Sequence, residues 1–336
     1  MRREKIAKIY YDKDANLSLL KNKLIGIIGW GSQGHAQSQN LRDSGCNVIV
    51  GEVPNSVPWK AAKKAGFEVL KADEVVRRAD IIVLLVPDDF HAQVFRDYIQ
   101  PNLTEGKVLQ FASGFNIYYH QVVPPPNVDV TMVAPRIHGV LLRKLFVEKQ
   151  YAPASVAVHQ NVSGKALQLA LAYAKGIGCT KAGVLESTFK EETVCDLFNE
   201  HCGILAGVMG VIKVGWEELV RAGYTKEAAY FELFHELKAV ADLINAYGVP
   251  GMLRRCSMTA QYGGMLSQYR MGNDAVRMEM RKIIKELEDG SFAQKWILEG
   301  KAGHPNLLTL LSLEDEHGSE KVGSKLREMM PWLAKP

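Results

Sequence analysis

The chain has 336 residues, 47% hydrophobic and 23% charged, with a formal net charge of +4. This composition excludes a disordered or collagen-like chain and supplies core material for about two domains. The small charge and the lack of a long Lys/Arg run exclude nucleic acid as the expected partner, and no apolar run reaches the ~18 residues of a membrane span. Five scattered cysteines (Cys46, Cys179, Cys195, Cys202, Cys256) form no CxxC pair, so free thiols in a reducing, cytoplasmic setting are expected. The opening MRREKIAKIYYDKDANLSLL is charged and has no apolar h-region, so no signal peptide is expected.

Up to about residue 188, short apolar runs alternate with helical patterns. LIGIIG (24–29), CNVIVG (46–51), DIIVLLV (80–86), KVLQFA (107–112), DVTMVAP (129–135) and ASVAVHQ (154–160) read as buried parallel strands, because they are continuous apolar runs rather than alternating ones. Amphipathic stretches such as KAAKKAGFEVL lie between them, so a right-handed βαβ sheet is expected. From Thr188 the texture becomes helical over 189–221, 225–247, 274–289, 291–299 and 318–330, with PGMLRRCSMTAQYGGML (250–266) read as a break. The extreme end, EMMPWLAKP, reads as frayed. The expected domains are therefore 1–188, α/β, and 189–334, all-helical.

The segment IIGWGSQGHA places Gly29, Gly31 and Gly34 in GxGxxG spacing, after a buried strand and at a helix start. In that context the first glycine makes the turn, the second lets backbone approach a pyrophosphate, and the third packs helix on strand. The α/β part thus reads as a Rossmann-type doubly wound sheet. Residues expected around a nicotinamide dinucleotide are Gly29, Trp30, Gly31, Ser32, Gln33, Gly34, Glu52, Ser56, Pro87, Asp88, Ser113 and Gly139. Glu52 lies 18 residues past Gly34, where an acidic residue binds the ribose 2′-hydroxyl of NAD. A carboxylate repels a 2′-phosphate, so the loop favours NADH over NADPH, although Ser56 and Lys60 can help to hold a phosphate. In VPDDFHAQVF, Asp88 can line the adenosine or cap a helix.

Two carboxylate pairs stand at i,i+4 in apolar helical surroundings: Asp196 and Glu200 in TVCDLFNEHC, and Glu232 and Glu236 in AAYFELFHELKAV. Like charges one helical turn apart repel unless a cation lies between them. Converging oxygen ligands suit Mg²⁺ or Mn²⁺. Salt bridging, for instance Glu232 to Lys238 or Arg221, is equally open from spacing alone.

KIYYDKDANLSLL, GWGSQGHAQSQNLRDSG, FKEETVCDLFNE, AYFELFHELK, SMTAQYG, SFAQKWILE and EKVGSKLREMMPWL resemble the short (class I) ketol-acid reductoisomerases over nearly the whole chain. The resemblance implies alkyl migration in a 2-acetohydroxy acid followed by reduction with NADPH at a two-magnesium site. It also implies a knotted helical domain, intertwined in a homodimer whose subunits share the site. It makes Asp196 the carboxylate bridging two Mg²⁺ and Glu200, Glu232 and Glu236 further ligands, with the last two from the partner chain. Ser257 would hydrogen-bond the substrate. Together with Arg136 and His138, the residues Asp196, Glu200, Glu236 and Ser257 form the expected catalytic group.

Departures from the family pattern cluster in that site. FAHGFNI is FASGFNI, placing Ser113 at the usual histidine; APKGPGH is APRIHGV, introducing Arg136 and His138. DLFGEQ is DLFNEH, TAEYG is TAQYG (Gln261), and GLRPGSKSW is GEVPNSVPW, where Val53 replaces the phosphate-gripping arginine beside Glu52. Comparison and charge argument thus agree on NADH. Three functions follow: a specialised reductoisomerase relative with an altered small keto-acid substrate or an altered balance of isomerisation and reduction, an ordinary reductoisomerase, or a non-catalytic nucleotide-binding homologue.

Overall fold

A computed structural model describes residues 7–333, and the chain divides into two compact units between Cys195 and Asp196. The expectations placed on residues 1–6 and on the last three residues of EMMPWLAKP lie outside the described residues.

The first unit is built on one nine-stranded sheet: β1 (Ile9–Tyr10), β2 (Leu24–Ile28), β3 (Asn47–Gly51), β4 (Val69–Leu70), β5 (Ile81–Leu84), β6 (Val108–Phe111), β7 (Asp129–Pro135), β8 (Ala154–Gln160) and β9 (Val184–Glu186). The spatial order is β1-β9-β8-β7-β6-β5-β2-β3-β4. Its helices are α1 (Ser32–Asp43), α2 (Val57–Lys64), α3 (Ala72–Arg78), α4 (Asp88–Val94), α5 (Phe115–Tyr118), α6 (Gly139–Val147) and α7 (Ala166–Gly176). Alternate residues of the central strands face opposite cores. Ile25, Ile27, Ile81 and Val83 join one cluster with Leu41 and Tyr173; Ile28, Ile82 and Leu84 join the other with Val75 and Phe95. Both faces of the sheet are thus covered, which is why these strands read as unbroken apolar runs.

Neighbours from β4 through β7 are parallel, but β8, read as parallel, runs antiparallel to β7. The short edge strand β1 is antiparallel to β9. An unbroken apolar run reports burial on both faces and says nothing of direction. Direction is set by the connection: Pro135 lies opposite Ala154, and the Arg136 N–H donates to the Pro153 carbonyl at 2.9 Å, so the chain re-enters the sheet at the end it left.

α1 sits directly on the turn that follows β2. A Cβ on Gly34 would lie 2.0 Å from the Gly29 carbonyl oxygen, so no larger residue fits without moving the helix.

Helix α8 (Phe189–Phe198) continues through a π-helical stretch, Asn199–Val208, into α9 (Met209–Arg221). α10 (Lys226–Tyr230) continues through a second, Phe231–His235, into α11 (Leu237–Leu253), which is interrupted at Gly248 with φ 67°. Then come α12 (Met258–Met271), α13 (Asp274–Glu288), α14 (Ser291–Lys301), α15 (Pro305–Glu316) and α16 (Gly318–Glu328). The stretch read as a break is helical from Met258 onward, N-capped by Ser257, and α15 was not anticipated. The break is confined to the turn around Gly248 and the residues before the Ser257 cap. Met330, in the segment read as frayed, is 7% exposed.

Within the second unit, Trp216, Ala229, Tyr230 and Leu326 form a core cluster. The Trp216 indole donates to the Lys226 carbonyl (3.1 Å), and Arg327 donates to the Tyr230 hydroxyl (2.9 Å). Ile204, Leu205, Val211, Met258, Leu308 and Leu311 remain exposed.

Gly34→Ala is expected to lower stability by about 2 kcal/mol, the usual scale of overpacking, in urea unfolding followed by circular dichroism. An unchanged midpoint would mean that α1 does not depend on this close approach.

Candidate functional site

The turn after β2 is shaped for a bound phosphate. Gly29 has φ 104°, a left-handed conformation that glycine alone adopts freely, and a Cβ there would meet the Leu85 carbonyl at 2.8 Å. A Cβ on Gly31 would meet nothing within 4 Å, which leaves the approach to the α1 N-terminus open. The Trp30 side chain is not part of that approach. It is 7% exposed and packs edge-on against Phe67 at 5.1 Å, and its contribution is a backbone N–H.

That N–H is held by Glu52. At the end of β3, Glu52 Oε2 accepts from Trp30 N (2.8 Å) and Oε1 accepts from Val53 N (2.9 Å). Glu52 lines a cleft of about 290 Å³ at the carboxyl ends of the strands, walled by Ile28, Val53, Val86, Val94 and Tyr98. Apolar walls beside an anchored carboxylate suit an adenosine with a free ribose hydroxyl. Lys71 also lines this cleft. Ser56 is an N-cap: its hydroxyl oxygen accepts from Trp59 N (3.1 Å) and starts α2.

Ser113 and Asp88 meet. The Ser113 hydroxyl donates to Asp88 Oδ1 at 3.0 Å, and Asn116 Nδ2 donates to the same oxygen at 3.0 Å. Asp88, in the first turn of α4 just after Pro87, therefore ties down the loop that follows β6. Behind it, His91 is buried, with Nε2 2.8 Å from the Val86 carbonyl. Burial pushes the imidazole pKa down, against the raising pull of Asp88, so His91 stays neutral.

A second buried carboxylate joins this loop to Arg136. Glu192, on α8 and 3% exposed, accepts from Gly114 N at 2.7 Å through Oε2. Its Oε1 lies 3.5 Å from Arg136 Nη1. Ser155 Oγ accepts from Arg136 Nε (3.1 Å) and Nη2 (2.9 Å), so the guanidinium is held from two sides. About a third of the Arg136 side chain stays open (34%), enough to present a fixed cation to an anionic ligand. A Cβ on Gly114 would lie 2.4 Å from the Phe189 carbonyl, so the loop and α8 are in direct contact.

His138 N-caps α6: its Nδ1 accepts from Leu141 N at 3.4 Å. With Nδ1 an acceptor, a neutral imidazole carries its proton on Nε2. The next residue is pressed onto the dinucleotide loop. Gly139 N donates to Ser32 Oγ (3.1 Å), and a Cβ there would lie 1.9 Å from the Ser32 carbonyl. Gln33 Nε2 donates to the Ile137 carbonyl at 2.9 Å.

In the second unit both carboxylate pairs lie at changes of helical pitch. Asp196 is in α8 and Glu200 in the π-helical stretch after it; Glu232 lies within the second such stretch and Glu236 just after it. The apolar helical surroundings of these acids in sequence imply burial, which is not found in the single chain: Glu200, Glu232 and Glu236 are exposed and Asp196 is intermediate. The apolar residues around them suggested burial, but Ile204 and Leu205 are themselves exposed. The cations weighed as partners for Glu232 are engaged elsewhere, Lys238 with Asp242 and Arg221 with Glu218. Among the described residues no three His, Cys, Asp or Glu side chains gather as a metal site. Ser257 accepts from Ala260 N (3.2 Å) as the cap of α12.

Residues 19–183 match the model of the acetohydroxy acid isomeroreductase NADPH-binding domain, and residues 189–332 match that of the ketol-acid reductoisomerase C-terminal domain. The chain belongs to the ketol-acid reductoisomerase family. It is similar to an NADH-preferring ketol-acid reductoisomerase from an uncultured archean, with 40% identity and a TM-score of 0.93 over 96% of this chain and 99% of that one. A semialdehyde dehydrogenase NAD-binding protein from Cupriavidus necator (19% identity, TM-score 0.61, 80% of this chain and 99% of that one) shares the fold. As a ketol-acid reductoisomerase-like oxidoreductase, the protein belongs to an NAD(P)H-dependent family whose reactions couple isomerisation and reduction.

Within this family member, sequence reasoning missed Glu192, Asn116 and Lys71. For Glu192 a signal existed. FKEETVCDLFNE carries Glu192, Asp196 and Glu200 at successive i,i+4 steps, one stripe of three acids rather than a pair.

Glu192→Ala would leave Gly114 N without its acceptor and remove one of the groups that brace Arg136. A loss of about 2 kcal/mol is expected in chemical unfolding, and Glu192→Gln should recover part of it by keeping an acceptor. Because His91 binds fewer protons folded than unfolded, its contribution is present at neutral pH and lost as pH falls below about 6.5. His91→Gln, which keeps a donor toward Val86, should shrink the drop in melting temperature between pH 7 and pH 5; an undiminished drop would assign the acid sensitivity to other groups.

Proposed function

We propose that the protein is an NADH-preferring, magnesium-dependent reductase of a small 2-keto or 2-aceto-2-hydroxy acid, working as a homodimer, with its balance of isomerisation and reduction shifted toward reduction. The observation that carries the cofactor preference is Glu52, anchored by two backbone N–H groups on the rim of the adenosine cleft. Fixed there, the carboxylate accepts from a ribose 2′-hydroxyl and repels a 2′-phosphate. The NADH preference of the 40%-identical relative supports the same reading. Lys71 in the cleft tempers the repulsion, so NADPH is a slower alternative rather than excluded.

Asp196, Glu200, Glu232 and Glu236 supply hard oxygen donors that fit Mg²⁺. The exposure of Glu200, Glu232 and Glu236 in the single chain, and the absence of a gathered metal-ligand group among the described residues, support ligation completed by a partner copy. The exposed apolar residues Ile204, Leu205 and Val211 support the same pairing. Two Mg²⁺, when bound, would polarise adjacent substrate oxygens as Lewis acids.

This chain's own groups then have defined work. Arg136, braced by Ser155 and Glu192, orients a substrate carboxylate. Backbone N–H groups at the start of α1 hold the pyrophosphate. Ser113 gives its proton to a hydrogen bond with Asp88 and does not exchange protons near neutral pH, and His138 spends Nδ1 on its cap. These two residues favour reduction over the proton-coupled isomerisation.

The test supplies NADH or NADPH and Mg²⁺ with either 2-acetolactate or 3-hydroxy-3-methyl-2-oxobutanoate, which needs only reduction. The second substrate should give kcat/KM at least ~10-fold higher, since a positioned acid or base is worth 10²–10⁴-fold. EDTA should abolish turnover. Equal use of both substrates restores an ordinary reductoisomerase. Glu52→Arg should lower NADH kcat/KM and raise that for NADPH, and an unaltered ratio would remove Glu52 from the argument.

A further inference from the structure

Gln33 occupies a phosphate-facing motif, yet its side chain is committed elsewhere. Tyr173 OH donates to Gln37 Oε1 (2.6 Å), Gln37 Nε2 donates to Gln33 Oε1 (2.9 Å), and Gln33 Nε2 donates to the Ile137 carbonyl (2.9 Å). Tyr173 and Gln37 are fully buried. The three bonds run head to tail, and their direction is fixed at one end. Burial holds the Tyr173 hydroxyl far above its ordinary pKa, so it remains a donor. Gln37 must then turn its oxygen to Tyr173 and its NH₂ to Gln33, and Gln33 must turn its NH₂ to Ile137. Dipoles aligned in this way reinforce one another in a low-dielectric interior.

We propose that Gln33 is a positioning residue: the chain Tyr173–Gln37–Gln33 latches the Arg136–His138 segment to the dinucleotide loop. Ile137 lies between Arg136 and His138, so the carbonyl that the latch grips belongs to the residue after the substrate-facing cation. A second tie lies beside the first, from Gly139 N to Ser32 Oγ, where the two backbones approach too closely for any side chain. The same two loop residues, Ser32 and Gln33, thus border the pyrophosphate position through their backbone and hold the arginine segment through their side chains. The dinucleotide loop and the arginine segment are tied together through this contact. The catalytic consequence rests on the proposed reading of Arg136; the latch itself does not.

The test compares wild type with Gln33→Met, which keeps length and volume but cannot donate, and Tyr173→Phe, which removes only the hydroxyl. Hydrogen exchange by mass spectrometry reads the 139–142 amides. In Gln33→Met these should exchange about tenfold faster while those of β2 and β5 are unchanged, and Tyr173→Phe should act in the same direction more weakly. Direct NADH titration by fluorescence should show affinity within about threefold of wild type, because the backbone N–H groups that meet the pyrophosphate remain. Where 3-hydroxy-3-methyl-2-oxobutanoate is turned over, its kcat/KM should fall about tenfold in Gln33→Met, with NADH KM nearly unchanged. Unaltered exchange at 139–142 overturns the latch, as does a uniform rise across the sheet, which would mark a purely structural role. A tenfold loss of NADH affinity with unaltered exchange makes Gln33 a cofactor contact instead. If no substrate is reduced, the proposed reaction fails while the exchange result still decides the latch.

Discussion

The close seating of α1 on the turn after β2 is the constraint on which the first unit depends. A Cβ on Gly34 would stand 2.0 Å from the Gly29 carbonyl, so the helix N-terminus is held directly against the end of the strand. From that seat the loop's remaining groups reach their partners. The Trp30 N–H meets Glu52, the residue after β3, while Ser32 and Gln33 meet the segment beyond β7. The α1 N-terminus, the Glu52 carboxylate and the arginine-bearing loop are therefore referred to one turn of backbone, and a shift in that turn would displace all three.

Glu192 plays the complementary part at β6 and β7. One buried carboxylate accepts from Gly114 and faces the Arg136 guanidinium, so the loop carrying Ser113 and the cation are set by the same two oxygens. Burying a carboxylate is costly unless it is paired and hydrogen-bonded, and Glu192 is both. The result is a stiff arrangement in which Ser113 bonds to Asp88 and Arg136 keeps about a third of its surface open.

The second unit follows a different logic. Its core cluster around Trp216 and Tyr230 is small, and many of its large apolar side chains are exposed. The acids at 196, 200, 232 and 236 sit where α-helix gives way to π-helix or returns from it. Wider turns of this kind are found disproportionately at functional positions. The apolar sequence around these acids implies that they are buried, and the single chain does not supply that burial, because an apolar neighbourhood in sequence is not a packed neighbourhood in space.

Sequence by itself determined the alternation of buried strands and helices, the change to helical texture after Thr188, the glycine spacing of the dinucleotide loop, the acid at Glu52 and the family. Each of these is a local pattern or a spacing along one element, and local patterns survive in a one-dimensional string. Tertiary structure alone decided the antiparallel direction of β8, which depends on where the connection through α6 returns the chain. It decided that Trp30 packs inward, that Ser56, His138 and Ser257 are helix caps, and that Asp88 secures a loop. It also found Glu192 and the chain from Tyr173 to Ile137, in which the bonded pair Tyr173 and Gln37 lie 136 residues apart. Hydrogen bonds between distant segments leave no periodicity behind, so their partners become visible only once the sheet has brought the strand ends together.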